Sequence, residues 1–233
     1  MKPVGRVWYK IFSLGISSGI TALVACIMQV VMNNSLVYYG NQTETTGDVA
    51  LSAMGIVMKI AMILASVCIG FGIGAQPILG FNLGAKKYAR VRHTYLLAVS
   101  IATASILIGW AVCQLAPHLV LSLFGKENQT FTDFAVRCLR IYLGGIFCAG
   151  FQIVSTNYFQ ATGQPLKASL LSMLRQLILP IPMLLILPLF FGLNGLLYAG
   201  PCADIGSAVI VALFILPEMR KLNRKIAESQ EPA

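Results

Sequence analysis

Charged residues are scarce in this chain. Asp, Glu, Lys and Arg make up 11% of its 233 residues, and its mean hydropathy is +0.78. Soluble domains carry about a quarter of their residues as charged types, so this composition excludes an ordinary water-facing surface. We therefore predict an integral membrane protein whose main partner is the lipid bilayer.

Residue patterns for metal, redox and nucleotide chemistry are also missing. The six cysteines stand singly in apolar runs without a CxxC pair, and the two histidines, His93 and His118, fall near loop ends. No HExxH motif, no paired intramembrane carboxylates and no G-x-x-x-x-G-K-[ST] loop occur. We expect neither an enzyme nor a bound cofactor or metal. The basic residues lie between apolar runs, so the net charge of +9 does not indicate nucleic-acid binding.

Six apolar runs are each long enough to cross a hydrocarbon core of about 30 Å. They lack the alternation of barrel strands, and backbone polar groups in lipid must be satisfied internally, so they are predicted to be α-helical. The fold class is an all-α integral membrane protein, a six-transmembrane-helix bundle over residues 11–216. A cytoplasmic N-terminal segment (1–10) and tail (217–233) flank it. The predicted helices are residues 11–39, 49–79, 95–116, 134–159, 168–191 and 193–216.

The loops predict an orientation. Basic residues cluster before the first helix and after the second, fourth and sixth, and the positive-inside rule makes that side cytoplasmic. Both termini are then cytoplasmic. The basic residues are Lys2, Arg6, Lys10, Lys86, Lys87, Arg90, Arg92, Lys167, Arg220, Lys221, Arg224 and Lys225.

The most distinctive stretch is GAQPILGFNLGAKKYARVR, residues Gly74–Arg92. Two glycine pairs four residues apart, Gly70/Gly74 and Gly80/Gly84, predict a close helix contact followed by a basic loop. The sequence of this stretch resembles a motif of the MATE family of multidrug efflux transporters. The motif residues are Gln76, Pro77, Gly80, Asn82 and Gly84. The resemblance continues through FQATGQP (159–165), LRQLILPIP (174–182), GLNG (192–195) and GPCAD (200–204).

This resemblance implies the C-terminal lobe of a transporter built from two six-helix lobes, because full members are about twice as long and these motifs occur in their second half. It implies a plasma-membrane antiporter that exports cationic or lipophilic compounds in exchange for Na⁺ or H⁺, with a complementary N-terminal lobe or a second copy as partner. The chain is then a fragment, a truncated reading frame or a separately encoded half. The alternatives are a lobe of a lipid-linked-precursor flippase and a non-transporting truncated subunit.

Ionisable residues inside apolar helices are costly and indicate functional positions. Lys59, Arg175 and Asp204 are the candidates. Arg175 is expected to snorkel or to line the cytoplasmic mouth. Lys59 and Asp204 lie at similar predicted depths, about 15–17 Å from the outer side, so we expect them to meet, or to share a water-filled cavity, near the midplane.

Amides inside the helices are the second set of pathway candidates. Gln29 and Asn33 lie on the first helix, and Gln152 and Asn157 on the fourth. They either form interhelical hydrogen bonds or line a substrate cavity. A stripe of small and polar residues on the second helix is expected to face other helices or a cavity. The stripe comprises Ser52, Gly55, Lys59, Ser66 and Gly70.

The resemblance leads us to expect acidic residues that bind Na⁺, and this chain lacks them at the expected positions. Such residues belong in the first and fourth helices, but the first offers only amides and Asp133 stands at the outer start of the fourth. The methionines and aromatics suit a soft cation pocket. None of them is assigned individually from the sequence.

The topology prediction has a direct test. Single cysteines at Thr45, Asn128 and Gly195, in a background without native cysteines, are expected to react with an impermeant thiol reagent added outside. Cysteines at Lys87 and Lys225 are expected to react only after permeabilisation. The reverse pattern of labelling would contradict the orientation.

Overall fold

The computed structural model describes residues 23, 25–42, 46–124 and 129–228. This part of the chain is helical apart from short turns, so the predicted all-α fold is confirmed. The predicted N-terminal segment, residues 1–10, lies outside the described residues. In chain order the helices are α1 (residues 25–40), α2 (Gly47–Gly84), α3 (Tyr88–Leu115), α4 (Pro117–Ser122), α5 (Gln129–Tyr142), α6 (Ala149–Ala161), α7 (Pro165–Met173) and α8 (Pro180–Glu228).

Two of the predicted spans run through an irregular turn. A 3₁₀ turn, Leu143–Cys148, joins α5 to α6. A π turn, Leu174–Ile178, joins α7 to α8. Pro180 is the local cause of the π turn, because proline has no N–H to donate to the carbonyl one turn earlier. The hydrogen bond from Leu179 to the Leu174 carbonyl, 3.1 Å, widens the turn instead.

Gly192 divides α8 into two antiparallel arms, residues 180–191 and 193–228. Its φ of 54° and ψ of −133° are accessible to glycine and reverse the chain. The hairpin is close enough that a Cβ on Gly195 would overlap the Leu187 carbonyl. The rings of Phe191 and Tyr198 meet across it, with centroids 6.3 Å apart. The predicted fifth and sixth helices are therefore separate spans.

Four helical stretches are long and apolar enough to cross a membrane, namely Gly47–Gly84, Tyr88–Leu115, Gln129–Ala161 and Pro165–Glu228. The last contains two spans because of the Gly192 hairpin. The first predicted helix is described only from residue 25, as α1, so the described helices are consistent with the predicted count of six. The second arm of α8 remains helical to Glu228 rather than ending at residue 216, because the Lys, Arg, Leu and Glu that follow favour helix.

Contacts between the ends of the helices bring the basic segments together. The Lys225 ammonium lies 5.4 Å from the Tyr88 ring centroid. Lys167 and Gln164 both contact the Glu218 carboxylate, at 3.8 and 2.9 Å. The segments that follow the second, fourth and sixth spans thus share one end of the bundle, as the sequence predicts. That this end is cytoplasmic remains a prediction.

The interior is built on close approaches between α2, α3 and α6. Gly150 of α6 lies against the backbone of Thr103, where an added Cβ would be 2.9 Å from Cα. Buried Tyr95 and Ser155 share a hydrogen bond of 2.8 Å. On α2, Gly72 meets Asn157 of α6.

The predicted contact through Gly70 and Gly74 is wrong within the described part of the lobe. A Cβ at Gly70, Gly74 or Gly84 would meet nothing within 4 Å, whereas Gly80 lies near the Ala161 carbonyl. The spacing of small residues identified the helix that packs closely. It did not identify the packed face, because that face is set by the rotation of α2 against α6.

A pair of adjacent glycines offers a matched test of the 3₁₀ turn. Gly145→Ala would place Cβ 2.7 Å from Pro201 Cα and 3.1 Å from Asp204 Cβ. We expect it to reduce the free energy of unfolding by about 1–3 kcal/mol, the range for overpacking a close contact. Thermal denaturation of the purified chain in detergent measures this loss.

Gly144→Ala is the control, because its Cβ would lie at an ordinary 3.8 Å from Pro201 Cγ. We expect a change within about 0.5 kcal/mol. Equal losses for the two variants would show that Pro201 does not set the packing of this turn.

Candidate functional site

A cavity of about 430 Å³ lies between five of the six spans, and we call it the central cavity. Residues from α1, α2, the α5 end with its 3₁₀ turn, the π turn and both arms of α8 line it. Its volume falls in the usual range for small-molecule pockets, roughly 300–1,000 Å³. Its wall includes three thioethers, one aromatic ring and one ion pair, from Met28, Met32, Met62, Tyr142, Arg175 and Asp204.

The ion pair joins the two halves of the α7–α8 hairpin. Arg175 Nε and Asp204 Oδ1 are 3.9 Å apart, and each side chain is about a quarter exposed, at 24% and 23%. Asp204 is the carboxylate among the described residues that line the central cavity. The two charges offset each other in a wall that is otherwise apolar or uncharged.

The expectation that Lys59 meets Asp204 is therefore wrong. Lys59 is exposed on α2 and does not line the central cavity, while Asp204 pairs with Arg175. Depth alone suggested the first pairing. The turn at Gly192 decides the second, because it folds residues 193–228 back along the helix that carries Arg175.

The main chain of Asp204 is held by two polar side chains. Gln152, 1% exposed, donates from Nε2 to the Asp204 carbonyl at 2.6 Å. Ser207, also buried, donates to the same oxygen at 3.0 Å. The predicted pathway residue Gln152 thus positions the cavity carboxylate and is not among the residues that line the central cavity.

A second cavity of about 440 Å³, which we call the amide cavity, adjoins the first. Gln76 Nε2 donates to Asn157 Oδ1 at 2.6 Å and to Gln160 Oε1 at 3.0 Å, linking α2 to α6. The structure thus joins the motif residue Gln76 to the predicted pathway residue Asn157. Arg175 and Gln176 line both cavities.

The other motif residues lie nearer the end of α2. Pro77 is exposed within the helix, and Asn82 Nδ2 donates to the Ile78 carbonyl one turn earlier at 2.8 Å. Gly80 lies under the Ala161 carbonyl, and Gly84 is the last residue of α2. These four residues shape the helix end and do not line either cavity.

The polar face of α1 is not its cavity face. Gln29 donates to Asn33 at 3.0 Å and lies 3.8 Å from the Met58 sulfur, so these amides link α1 to itself and to α2. Met28 and Met32, each one residue earlier, line the central cavity. Sequence reasoning missed them, although their spacing of four residues places them on one helix face.

The stripe of small and polar residues on α2 lies on the outside of the described lobe. Ser52, Lys59, Ser66 and Gly70 are exposed, and Gly55 has no neighbour within 4 Å of a built Cβ. Ser66 follows Met62 by four residues, so the stripe borders the face that lines the central cavity.

The ion pair predicts a specific pattern of stability. Arg175→Gln or Asp204→Asn is expected to cost about 1–3 kcal/mol of unfolding free energy. Removing one partner of a fully buried pair costs about 3–5 kcal/mol of unfolding free energy, and we expect less here because these side chains are partly exposed. The double variant should lose less than the sum of the two single changes. Thermal denaturation of the full chain in detergent measures all three.

Lys59→Gln is the control, because it removes a charge that is exposed and outside the pair. We expect its effect to stay within about 0.5 kcal/mol. Strict additivity of the Arg175 and Asp204 changes would contradict the coupling.

Comparisons with known proteins agree with this architecture. The MatE family model matches residues 21–186. The chain is 25% identical to multidrug export protein MepA of Staphylococcus haemolyticus (strain JCSC1435), over 94% of this chain and 46% of that protein. It therefore spans about half the length of the curated relatives it matches.

Solved structures also align with this chain over about half of their own length. An outward-facing structure of a multidrug resistance MATE family transporter of the MOP superfamily aligns with a TM-score of 0.79 and 19% identity, over 96% of this chain and 49% of that one. An inward-facing structure gives 0.81 and 18%, over 96% and 50%. These likenesses establish the fold. Because the family model covers well over half of the chain, this protein belongs to the MatE family, whose members are membrane transporters and not enzymes.

Proposed function

We propose that this chain forms one lobe of a multidrug efflux antiporter that exports organic cations in exchange for Na⁺ or H⁺. The observation that carries the proposal is the chemistry of the central cavity. Asp204 supplies a negative charge, and Met28, Met32, Met62 and Tyr142 surround the space with polarizable groups. Thioethers adapt to varied shapes, and aromatic faces attract cations.

The outer face of α2 supports a second lobe. A lysine near the centre of a lipid-facing helix costs at least about 2.5–3.5 kcal/mol, so Lys59 is expected to face protein or water in the working transporter. Ser52 and Ser66 share that face. A complementary N-terminal lobe or a second copy of this chain would cover it and close the transport pathway.

Alternating access by rigid-body motion of two lobes fits the comparisons. The chain aligns about equally with the corresponding half of an inward-facing and an outward-facing transporter, with TM-scores of 0.81 and 0.79. A lobe of one shape suits both states when the movement takes place between lobes. The energy source we propose is an ion gradient, and no cofactor takes part.

The alternative of a lipid-linked-precursor flippase has less support. A polyanionic lipid head group would require a wide basic cavity, whereas Arg175 is offset by Asp204 in this one. Lys59, the other intramembrane cation that the sequence singles out, is outside the cavity. A non-transporting subunit remains the outcome to exclude by experiment.

We propose that the transporter resides in the plasma membrane with both termini in the cytoplasm, on the strength of the basic segments at one end of the bundle. Substrate then enters from the cytoplasmic side and leaves outside. The amide cavity lies nearer that basic end than the central cavity does, because it contains the later part of α2 and of α6.

Co-expression tests the two-lobe proposal. Cells that produce this chain alone are expected to retain ethidium as control cells do, because the pathway lacks one wall. Cells that also produce a first lobe from a MatE transporter are expected to export ethidium. The assay follows the loss of fluorescence after energisation, with Asp204→Asn as the inactive control.

Robust efflux by the lone chain, together with a dimeric mass in detergent, would show that a second copy of this chain takes the place of the N-terminal lobe. Absence of efflux with every partner lobe, at normal membrane abundance, would support the non-transporting subunit.

A further inference from the structure

We propose that Arg175 is a tethered counter-ion that occupies the cation site of Asp204, and that an organic cation binds by displacing its guanidinium into the amide cavity. The inference rests on the proposed export of organic cations. It goes further in assigning the binding carboxylate, its internal competitor and the place to which the competitor moves.

The two members of the pair are held differently. Asp204 is fixed by its main chain, because Gln152 and Ser207 both donate to its carbonyl. Gly145 of the 3₁₀ turn lies against the same residue, with only 3.1 Å between a built Cβ and Asp204 Cβ. The carboxylate is therefore a stationary site on a packed helix.

Arg175 has far more freedom. Its side chain is long, it stands in the π turn, and its Nε makes no hydrogen bond in the described part of the chain. The separation of 3.9 Å between Nε and Asp204 Oδ1 is longer than a charge-assisted hydrogen bond, about 2.7–2.9 Å. The attraction is thus electrostatic and lacks the geometry that would lock the pair.

The amide cavity adjoins the central cavity at Arg175 and offers its side chain an alternative environment. Arg175 and Gln176 line both cavities. Asn157 Oδ1 and Gln160 Oε1 each accept one hydrogen bond from Gln76, and a carbonyl oxygen has two lone pairs. The guanidinium can bind those oxygens, and it is not left unpaired when a substrate takes its place.

The wall around Asp204 favours a lipophilic cation over a metal ion. Hard cations such as Na⁺ prefer several oxygen ligands, while Met28, Met32 and Met62 present thioethers. A bulky organic cation gains contact with these groups and with the Tyr142 ring. While the organic cation is bound, its positive charge lies beside Asp204 and repels the guanidinium. The return of Arg175 is therefore unfavourable until the substrate leaves.

Binding of tetraphenylphosphonium to the purified full chain in detergent tests the displacement. Arg175→Gln removes the competitor and is expected to lower the Kd at least about tenfold, by the arithmetic of a site that is mostly occupied. Asp204→Asn is expected to abolish measurable binding. Arg137→Gln makes the same chemical change on an exposed position of α5 and should leave the Kd unchanged.

Arg175→Met replaces the glutamine variant if the latter is not monodisperse, since it keeps an unbranched chain without charge. Weaker or equal binding in these variants would overturn the inference, because a purely structural ion pair predicts that result. Tetraphenylphosphonium binding can also be compared in Na⁺ and in N-methylglucamine buffers. Weaker binding in Na⁺, with no change when Arg175 is replaced, would overturn the inference and identify an alkali-cation site.

A mutant cycle tests where Arg175 goes. Gln160→Ala removes one acceptor of the amide cavity, so it is expected to weaken tetraphenylphosphonium binding about threefold or more when Arg175 is present. In the Arg175→Gln background the same change should have no effect. Equal losses in both backgrounds would contradict movement of Arg175 into the amide cavity.

The binding assay separates this inference from the proposed function. The expected order of Kd values without efflux in any co-expression would leave displacement intact and refute export. Efflux that persists with tight binding in Asp204→Asn would retain export and refute the role of Asp204.

Discussion

The close approach of the 3₁₀ turn to Pro201 is the contact on which the central cavity depends. Gly145 permits it, because any Cβ there would overlap Pro201 Cα and press on Asp204. The second arm of α8 is thereby fixed against the end of α5, with Tyr142 packed over Gly200. The position of the cavity carboxylate follows from this backbone contact, and the hydrogen bonds from Gln152 and Ser207 maintain it.

The helix interruptions serve the same region. Pro180 deprives the preceding turn of a donor and produces the π turn that carries Arg175. Gly192 then reverses the chain so that the arm with Asp204 returns beside it. The π turn is a break within a span, and such a break is tolerated here because Arg175 and Gln176 line the cavities and do not face lipid. The ion pair exists because both breaks occur in one hairpin.

The lobe presents two kinds of exposed surface. Most of it is covered by large apolar side chains, as lipid requires, and the most apolar parts of Gly47–Gly84, Tyr88–Leu115 and Pro165–Glu228 are each less than a quarter buried. The stripe on α2 differs, since Lys59 and two serines are exposed there beside the cavity face. An apolar solvent penalises such a stripe, so it supports the proposal of a second lobe.

Much of the fold was predictable from composition and chain length. Apolar runs of sufficient length dictated helices, because lipid offers no partner for backbone groups. Basic segments predicted that the helix ends after the second and sixth spans share a side, and the contact of Lys225 with Tyr88 confirms this. The sequence motif in residues 74–92 indicated the family, and the family model confirmed it.

The site was only partly predictable. Arg175, Asp204, Gln152 and Asn157 were singled out because polar groups in lipid are costly, and the structure brings them around two adjoining cavities. Met28 and Met32 were not, since a thioether in an apolar helix carries no signal of its own. The sequence by itself determined which stretches form long apolar helices and where each charge lies along its helix, because apolarity and the constant rise per residue follow from the sequence alone. Tertiary structure alone decided that Asp204 meets Arg175 and not Lys59, because partners depend on the rotation and neighbours of each helix, which are set by close packing.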